Sequence, residues 1–389
     1  MRRAEDRVRP VAARRIPSRQ ARRRFIMTDR NGMGRRCFAS LFASLFASLF
    51  ASLFASLFAV VSMAAVAALI VHDSAAAHDK PAATTLPLTH VADIPLPGRA
   101  SRLDYASYDP ARHLLFIAHL GDSEVIVFDT QTSRVVGRIG NIAAVHGVLV
   151  VPEESRLYAS ATGTNEVVAI DEATLKITAR MPGGVYPDGM AYAPENRKLY
   201  VSDETGETET VIDTRSNRRI NTIALGGEAG NTQYDAASRH IFVNVQTRRQ
   251  LVEIDPANDA IVARIDLPGA RGNHGLHIVA QSHLAFIACE GNDRLLTLNL
   301  LTRQVVQSFE VGGDPDVLAF DPGPGTLYVA GEAGIVSMFA VGASAVTKIG
   351  EGRIGPNAHV VGVDPSTHRV YFPLKNVDGH PVLRVMAPR

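Results

Sequence analysis

The sequence predicts an all-β protein, a seven-bladed β-propeller of four-stranded blades. Two observations indicate this fold. A short motif with an aromatic residue recurs seven times at nearly constant spacing. Within each repeat, runs of β-branched or aromatic residues alternate with Gly, Pro, Asn and Asp, which is typical of strands and turns. Units of about 40–50 residues with four strands each, repeated around an axis, make a propeller.

The repeated motif is recognised by its aromatic residue, which falls in the second predicted strand of each unit. Successive aromatic residues are 42, 42, 42, 44, 42 and 43 positions apart. No stretch after residue 98 shows sustained helical periodicity, so the strands alone define the units. The seven aromatic residues are Phe116, Tyr158, Tyr200, Phe242, Phe286, Tyr328 and Tyr371.

The first unit illustrates the four strands, which we expect at Leu103–Tyr108, Leu114–Ala118, Glu124–Phe128 and Arg134–Ile139. In five units the third strand ends on a side chain that can accept a hydrogen bond and close the turn to the fourth strand. These acceptors are Asp129, Asp171, Asp213, Asp255 and Asn299.

The last unit lacks a fourth strand. Its predicted strands lie near His359–Val363, Val370–Pro373 and Val382–Met386, and the chain stops there. The segment Val91–Gly98 resembles the end of a fourth strand, Ile265–Gly269. We therefore expect this N-terminal strand to pair in the last blade, which closes the ring and covers an exposed sheet edge.

The residues before the propeller, 1–77, are predicted to be a basic leader and signal peptide. Residues 1–36 carry a net charge of +10, and the following 35 residues contain no polar side chain other than serine and Cys37. Ala75 and Ala77 fit a signal-peptidase site. Met27 or Met33 is a plausible true start. The mature domain is then residues 78–389.

Export through this leader predicts a periplasmic or secreted protein, by the Sec route or, given Arg35-Arg36, the twin-arginine route. The apolar run is long enough to span a bilayer, so an uncleaved leader anchored in the inner membrane is the alternative.

The composition excludes several classes of function. After residue 36, 27 Lys and Arg stand against 36 Asp and Glu, which argues against nucleic-acid binding. Cys289 is the single cysteine of the mature domain, so this domain can form no intramolecular disulfide and no cysteine-based zinc finger. HExxH, GxSxG and both glycine-rich phosphate loops are absent.

The second strands carry a further signature. The signature of the YVTN-repeat propellers is similar to two runs in these strands, Leu199–Ser202 (LYVS) and Leu327–Ala330 (LYVA). Third strands that end on an acid, such as Glu166–Asp171, resemble that family as well. The whole mature chain resembles the YncE-like branch of that family. The resemblance covers all seven units. It implies an exported propeller of that fold, but this group has no agreed reaction from which a catalytic residue is carried over.

The register of the repeats predicts which side chains surround one mouth of the central channel. First strands line the channel, and the loops after the second strands open on the same face. The first-strand position holds Asp104, His146, Asp188, Gly230 with Asn231, His274, Asp316 and His359. The loop position holds Glu204, Gln246, Glu290, Glu332 and Lys375.

Carboxylates and imidazoles are metal ligands and acid–base groups, so this ring predicts a site. We expect His274, Asp316 and His359 to bind a divalent metal, Cu or Zn. His277 should point away from His274 on an extended strand. The residues expected to bind a small ligand are Asp104, His146, Asp188, Asn231, Glu204, Glu290 and Glu332. The alternative is a channel lined by polar groups that hold only water.

Three hypotheses remain open at this stage. The first is a non-catalytic propeller that binds a metal ion or small ligand at the channel mouth. The second, by analogy of fold, is a metal-assisted hydrolase of lactone or ester type. The third is a scaffold for another exported protein, with a solvated channel. The first is preferred, and a membrane is expected as a partner only if the leader is retained.

Overall fold

A computed structural model describes residues 85–342 and 345–389, which form seven four-stranded sheets. All strand pairs within the sheets are antiparallel, and the predicted seven-bladed propeller is confirmed. The predicted leader, residues 1–77, lies outside the described residues. In the part of the chain that the structure describes, no helix is long and apolar enough to cross a membrane.

The first three blades follow one another along the chain, each as a four-stranded meander. Blade 1 contains β2 (Ala106–Asp109), β3 (Leu114–His119), β4 (Glu124–Asp129) and β5 (Arg134–Ile139). Blade 2 contains β6 (Val145–Val151), β7 (Arg156–Ala161), β8 (Glu166–Asp171) and β9 (Lys176–Pro182). Blade 3 contains β10 (Pro187–Ala193), β11 (Lys198–Asp203), β12 (Thr208–Asp213) and β13 (Arg218–Ala224).

The next three blades repeat this arrangement. Blade 4 contains β14 (Ala229–Asp235), β15 (His240–Val245), β16 (Gln250–Asp255) and β17 (Ala260–Asp266). Blade 5 contains β18 (Asn273–Val279), β19 (Leu284–Cys289), β20 (Arg294–Asn299) and β21 (Gln304–Glu310). Blade 6 contains β22 (Pro315–Asp321), β23 (Thr326–Gly331), β24 (Ile335–Val341) and β25 (Val346–Arg353).

Blade 7 joins the two ends of the domain. It contains β26 (Gly362–Asp364), β27 (Arg369–Val377), β28 (His380–Pro388) and, at its outer edge, β1 (Leu88–Pro95). The expected ring closure is therefore present. β1 begins three residues before the predicted segment, and its pairing stops after the bond from the Leu96 N–H to the Pro381 carbonyl, because Pro97 has no N–H to donate.

The hydrophobic core consists of seven clusters, one at each interface between neighbouring blades. Every cluster takes the repeated aromatic residue from one blade and apolar strand residues from the next. All seven aromatic residues are buried, and each burial contributes about 1.5–3 kcal/mol. The constant spacing in the sequence thus reflects one packing contact made seven times.

The turns after the third strands are closed as expected. Asp129 and Asp171 accept hydrogen bonds from the backbone N–H groups of Thr132 and Thr174, at 2.9 and 2.8 Å. The residues at the same position in the next three blades do the same for an N–H two or three residues further on; they are Asp213, Asp255 and Asn299. The predicted acceptors are confirmed.

An ion pair stabilises the pairing of the closing strand β1 with β28. Arg384 on β28 donates to both carboxylate oxygens of Asp93 on β1, at 2.8 and 2.6 Å. These bonds lower the pKa of Asp93 to about 2. Because the folded pKa lies below the unfolded value, the pair stabilises the fold above pH 4 and loses this effect as the pH falls through about 2.

We expect Asp93→Asn to lower the free energy of unfolding at pH 7 by up to about 1 kcal/mol, since solvent reaches both side chains. Urea unfolding at pH 7 and at pH 2.5 measures the effect, which should shrink at the lower pH. Asp378→Asn is the control, because it removes an exposed carboxylate of the same blade that has no ion-pair partner among the described residues. A difference from wild type that is as large at pH 2.5 would contradict the assignment.

Candidate functional site

The residues of the predicted ring stand on β-bulges. In blades 2 to 6 the register between the first and second strands shifts at the same place. A bulge bends the strand and re-aims its side chains. The residues carried by these bulges are His146, Asp188, Gly230 with Asn231, His274 and Asp316.

Blades 1 and 7 reach the ring differently. The ladder of β2 begins only at Ala106, so Asp104 precedes it, although the Asp104 N–H still bonds to the Ala118 carbonyl at 2.8 Å. In blade 7 pairing begins at Gly362. His359 therefore lies just before β26 and not inside the strand expected over 359–363.

Glycines beside the ring residues let the blades approach closely. A Cβ added to Gly147 would lie 2.2 Å from the Asp188 carbonyl oxygen, and one added to Gly275 would lie 1.9 Å from that of Asp316. Only glycine fits at such a contact. The backbones of neighbouring first strands therefore touch, and side chains from different blades converge on the channel.

The mouth of the channel is an acidic cavity of about 640 Å³. Arg102 is the one Lys or Arg among the residues that line it. The predicted site residues that line this cavity are Asp104, His146, Asp188, Glu204, His274, Glu290, Asp316 and Glu332. Neither Asn231 nor His359 belongs to this lining.

His359 lies beside the cavity and is almost completely buried, with 1% of its surface exposed. Its Nδ1 donates to the Asn357 carbonyl at 3.2 Å, so Nε2 carries the lone pair in the neutral ring. Nε2 has no hydrogen-bond partner among the described residues. It faces three carboxylate oxygens, of Glu332, Asp316 and Asp104, at 3.8, 3.9 and 4.0 Å.

His274 occupies the neighbouring part of the ring. Its Nδ1 lies 3.1 Å from Asp316 Oδ1 and 3.1 Å from Glu290 Oε1, and its Nε2 lies 3.4 Å from Asp188 Oδ2. Burial opposes a charged ring, but the hydrogen bonds of the three carboxylates raise the pKa of His274. Burial likewise opposes ionisation of Asp316, and the hydrogen bond with His274 keeps its pKa low.

Asp316 thus lies between the two histidines, with Oδ1 towards His274 and Oδ2 towards His359. The three residues expected to share one metal fall into two groups of possible ligands, and Asp316 belongs to both. One group consists of His274, Glu290 and Asp316, and the other consists of His359, Glu332 and Asp316. Within each group the possible ligand atoms lie within 4.8 Å of one another.

Arg102 pairs with two of the acids that face His359. Its Nε donates to Asp104 Oδ2 at 3.0 Å, and one terminal nitrogen donates to Glu332 Oε1 at 2.6 Å. Burial raises the pKa of Asp104 to about 6, and Arg102, then His359, oppose the rise. Arg102 was not predicted from the sequence. Its position two residues before Asp104, close to a predicted ring residue, is the feature from which it could have been predicted.

His146 is already satisfied by protein partners. Its Nδ1 donates to the Ala144 carbonyl at 2.9 Å, and its Nε2 accepts from the Tyr186 hydroxyl at 3.1 Å. Both ring nitrogens of His146 therefore have hydrogen-bond partners within the protein, and the ring forms part of the cavity wall. Glu204 also lines the cavity; burial, and then the charge of Asp188, raise its pKa.

Asn231 lies deeper in the channel. Its side-chain oxygen accepts from the Tyr105 hydroxyl at 2.5 Å, a bond between blades 1 and 4 that crosses the channel. Tyr105 borders the mouth cavity and also a second cavity of about 290 Å³, which Asn231 and His277 line. His277 packs against Phe320, with ring centroids 6.0 Å apart.

Two further groups do not add to the site. Cys289 is buried, and burial raises the pKa of its thiol to about 12, so it is a poor metal ligand. His119, Asp122 and Glu124 form another cluster, but none of them lines the mouth cavity, and each of the two carboxylates already pairs with an arginine, Arg99 or Arg138, at 2.8 Å.

Comparisons with known proteins show the fold. No protein-family model and no curated protein matches the chain. A chain from the crystal structure of the mitotic checkpoint complex is similar over 79% of this chain and 94% of that one, with 13% identity and a TM-score of 0.66. The hydrazine synthase of Kuenenia stuttgartiensis is similar over 76% and 97%, with 16% identity and a TM-score of 0.63. At these identities the likeness concerns the fold alone.

Proposed function

We propose that this chain is an exported, YncE-like propeller that binds a divalent metal ion at the mouth of its channel, through His359, Asp316 and Glu332. The observation that carries the proposal is the buried Nε2 of His359, which has no hydrogen-bond partner in the part of the chain that the structure describes and faces these carboxylates. A buried polar atom without a partner is costly, and a cation between the imidazole and the carboxylates would remove that cost.

The surrounding contacts support the same ligand set. Metal-binding histidines usually donate their second N–H to a carbonyl or carboxylate, as His359 does to Asn357. Arg102 and the Asn357 amide each donate to one oxygen of Glu332, which orients that carboxylate. One imidazole with two or three carboxylates suits Zn²⁺ or Cu²⁺. Export of the protein is supported by the basic and apolar leader and the YncE-like repeats.

One observation favours a second candidate function, metal-assisted hydrolysis of an ester or lactone. Asp316 and Glu332 line the cavity, so an ion held by them would border a space large enough for a small molecule. Catalytic metal sites keep such an open position, where the ion activates water or polarises a carbonyl.

The test of metal binding is His359→Gln against a matched control, His277→Gln, which changes a half-buried histidine of the same channel that has no carboxylate within ion-pair distance among the described residues. Titration calorimetry with Zn²⁺, and elemental analysis of protein purified without chelators, measure the affinity and the occupancy.

We expect His359→Gln to weaken Zn²⁺ binding by about 100-fold, because losing a ligand costs at least as much as losing a group that only orients one. His277→Gln should bind like wild type. Equal affinity in all three folded proteins, or no binding to wild type, would refute the proposal.

A further inference from the structure

Building on the proposed metal site, we infer that the channel mouth is a dinuclear centre, in which the carboxylate of Asp316 bridges two divalent cations. The first cation is the one already assigned to His359 and Glu332. The second is bound by His274 and Glu290, on the other side of the same carboxylate.

The second set has the geometry of a cation site. Around an ion with metal–ligand bonds of about 2.0–2.2 Å, neighbouring ligand atoms lie about 3 Å apart. His274 Nδ1 lies 3.1 Å from Asp316 Oδ1 and 3.1 Å from Glu290 Oε1. The three atoms come from two neighbouring blades and lie within 4.8 Å of one another, so a cation that displaces the Nδ1 proton could bind all three.

The other nitrogen of His274 completes the arrangement. Its Nε2 lies 3.4 Å from Asp188 Oδ2, so a ring bound to metal through Nδ1 would donate its remaining N–H to a carboxylate, as in many metal sites. Asp188 is 3% exposed, and its Oδ1 is buried without a hydrogen-bond partner within residues 85–342 and 345–389. A buried carboxylate with an unpaired oxygen indicates that positive charge belongs beside it.

The two sets are joined by Asp316 in a way that fits two ions. Its Oδ1 faces the His274 set and its Oδ2 faces His359 Nε2, at 3.9 Å. A carboxylate that binds one ion through each oxygen holds them at a separation near the roughly 3.5–4 Å of known two-metal sites.

The charge of the cluster agrees with two ions. The carboxylates that contact the two histidines are those of Asp104, Asp188, Glu290, Asp316 and Glu332. Among the arginines that the structure describes, Arg102 is the one that pairs with them. Once a metal ion has displaced the Nδ1 proton of His274, both imidazoles are neutral, and five ionised carboxylates with one guanidinium leave four negative charges. Two divalent cations compensate this charge fully, whereas one compensates half of it.

The experiment counts Mn²⁺ ions bound to the full-length protein and to three folded variants, Glu290→Gln, Glu332→Gln and His359→Gln. Equilibrium dialysis gives the stoichiometry, and electron paramagnetic resonance distinguishes a coupled pair of Mn²⁺ ions from isolated ones. Circular dichroism and thermal unfolding show that each variant retains the propeller.

We expect two ions and a coupled spectrum in wild type, and one ion with an isolated six-line spectrum in Glu290→Gln and in Glu332→Gln. One ion in wild type that Glu290→Gln keeps and His359→Gln loses would overturn the dinuclear centre and leave the proposed function standing. Two ions without coupling, or two that survive Glu290→Gln, would also overturn it. No ion at all, or a single ion that survives His359→Gln, would overturn both proposals.

Discussion

Replacing Asp316 by Asn should lower the affinity of the channel mouth for Zn²⁺ by more than about 100-fold, the largest loss expected from one substitution. Asp316 is the one residue that contributes an oxygen to both ligand groups. Asn keeps the shape and can still accept a hydrogen bond from His274, so the fold should survive. The substitution removes the negative charge and leaves a single side-chain oxygen, whereas the two ligand groups need one oxygen each.

The matched control is Asp314→Asn. Asp314 lines the same cavity two residues earlier, but it is exposed and belongs to neither ligand group. Its loss should weaken Zn²⁺ binding only a few-fold, since exposed charges are screened by solvent and salt. Titration calorimetry on both variants separates the two cases. Equal losses would mean that the cavity attracts cations only through its overall charge.

The substitution Gly275→Ala should lower the free energy of unfolding by about 1–3 kcal/mol and weaken metal binding as well. Its Cβ would meet the Asp316 carbonyl at 1.9 Å and the Leu318 side chain at 2.7 Å. The backbone of β22 must then move away from β18. Because Asp316 stands on that backbone, its carboxylate moves away from His274.

Chemical unfolding and Zn²⁺ titration of the same sample measure both effects. Gly140→Ala is the control, because no atom lies within 4 Å of the added Cβ and this glycine has no positive φ. It should change the stability by less than about 0.5 kcal/mol. If Gly275→Ala unfolds like wild type, the close contact between blades 5 and 6 does not hold Asp316 in place.

The fold was predictable because each unit repeats the same contact. An aromatic residue such as Tyr200 packs against the next blade, and a third strand ends on an acceptor such as Asp213. Both contacts depend on residues close in the sequence, so their spacing appears directly in the chain. The closing strand was recognisable for the same reason, since β1 resembles the end of an ordinary fourth strand.

The site was predictable only in part. Register placed residues such as Asp188 and Asp316 at the channel mouth, because it depends on the same repeat. It did not separate His274 from His359, since the bulges and the short β26 change where each side chain points. Asn231 bonds to Tyr105 across the channel and therefore lies away from the mouth. A contact between distant blades cannot be predicted from the spacing of the repeats.

The joining of both chain ends in blade 7 has a consequence for the order of folding. Blades 1 to 6 pair strands that are near in the sequence, whereas Asp93 and Arg384 are 291 residues apart. Bringing such distant segments together costs about 5 kcal/mol in chain entropy. β1, the first strand that the structure describes, can therefore pair only after β28 has been synthesised. A chain interrupted before β28 would carry an unpaired β1 and an open face of blade 1, which is the surface that proteases and chaperones recognise.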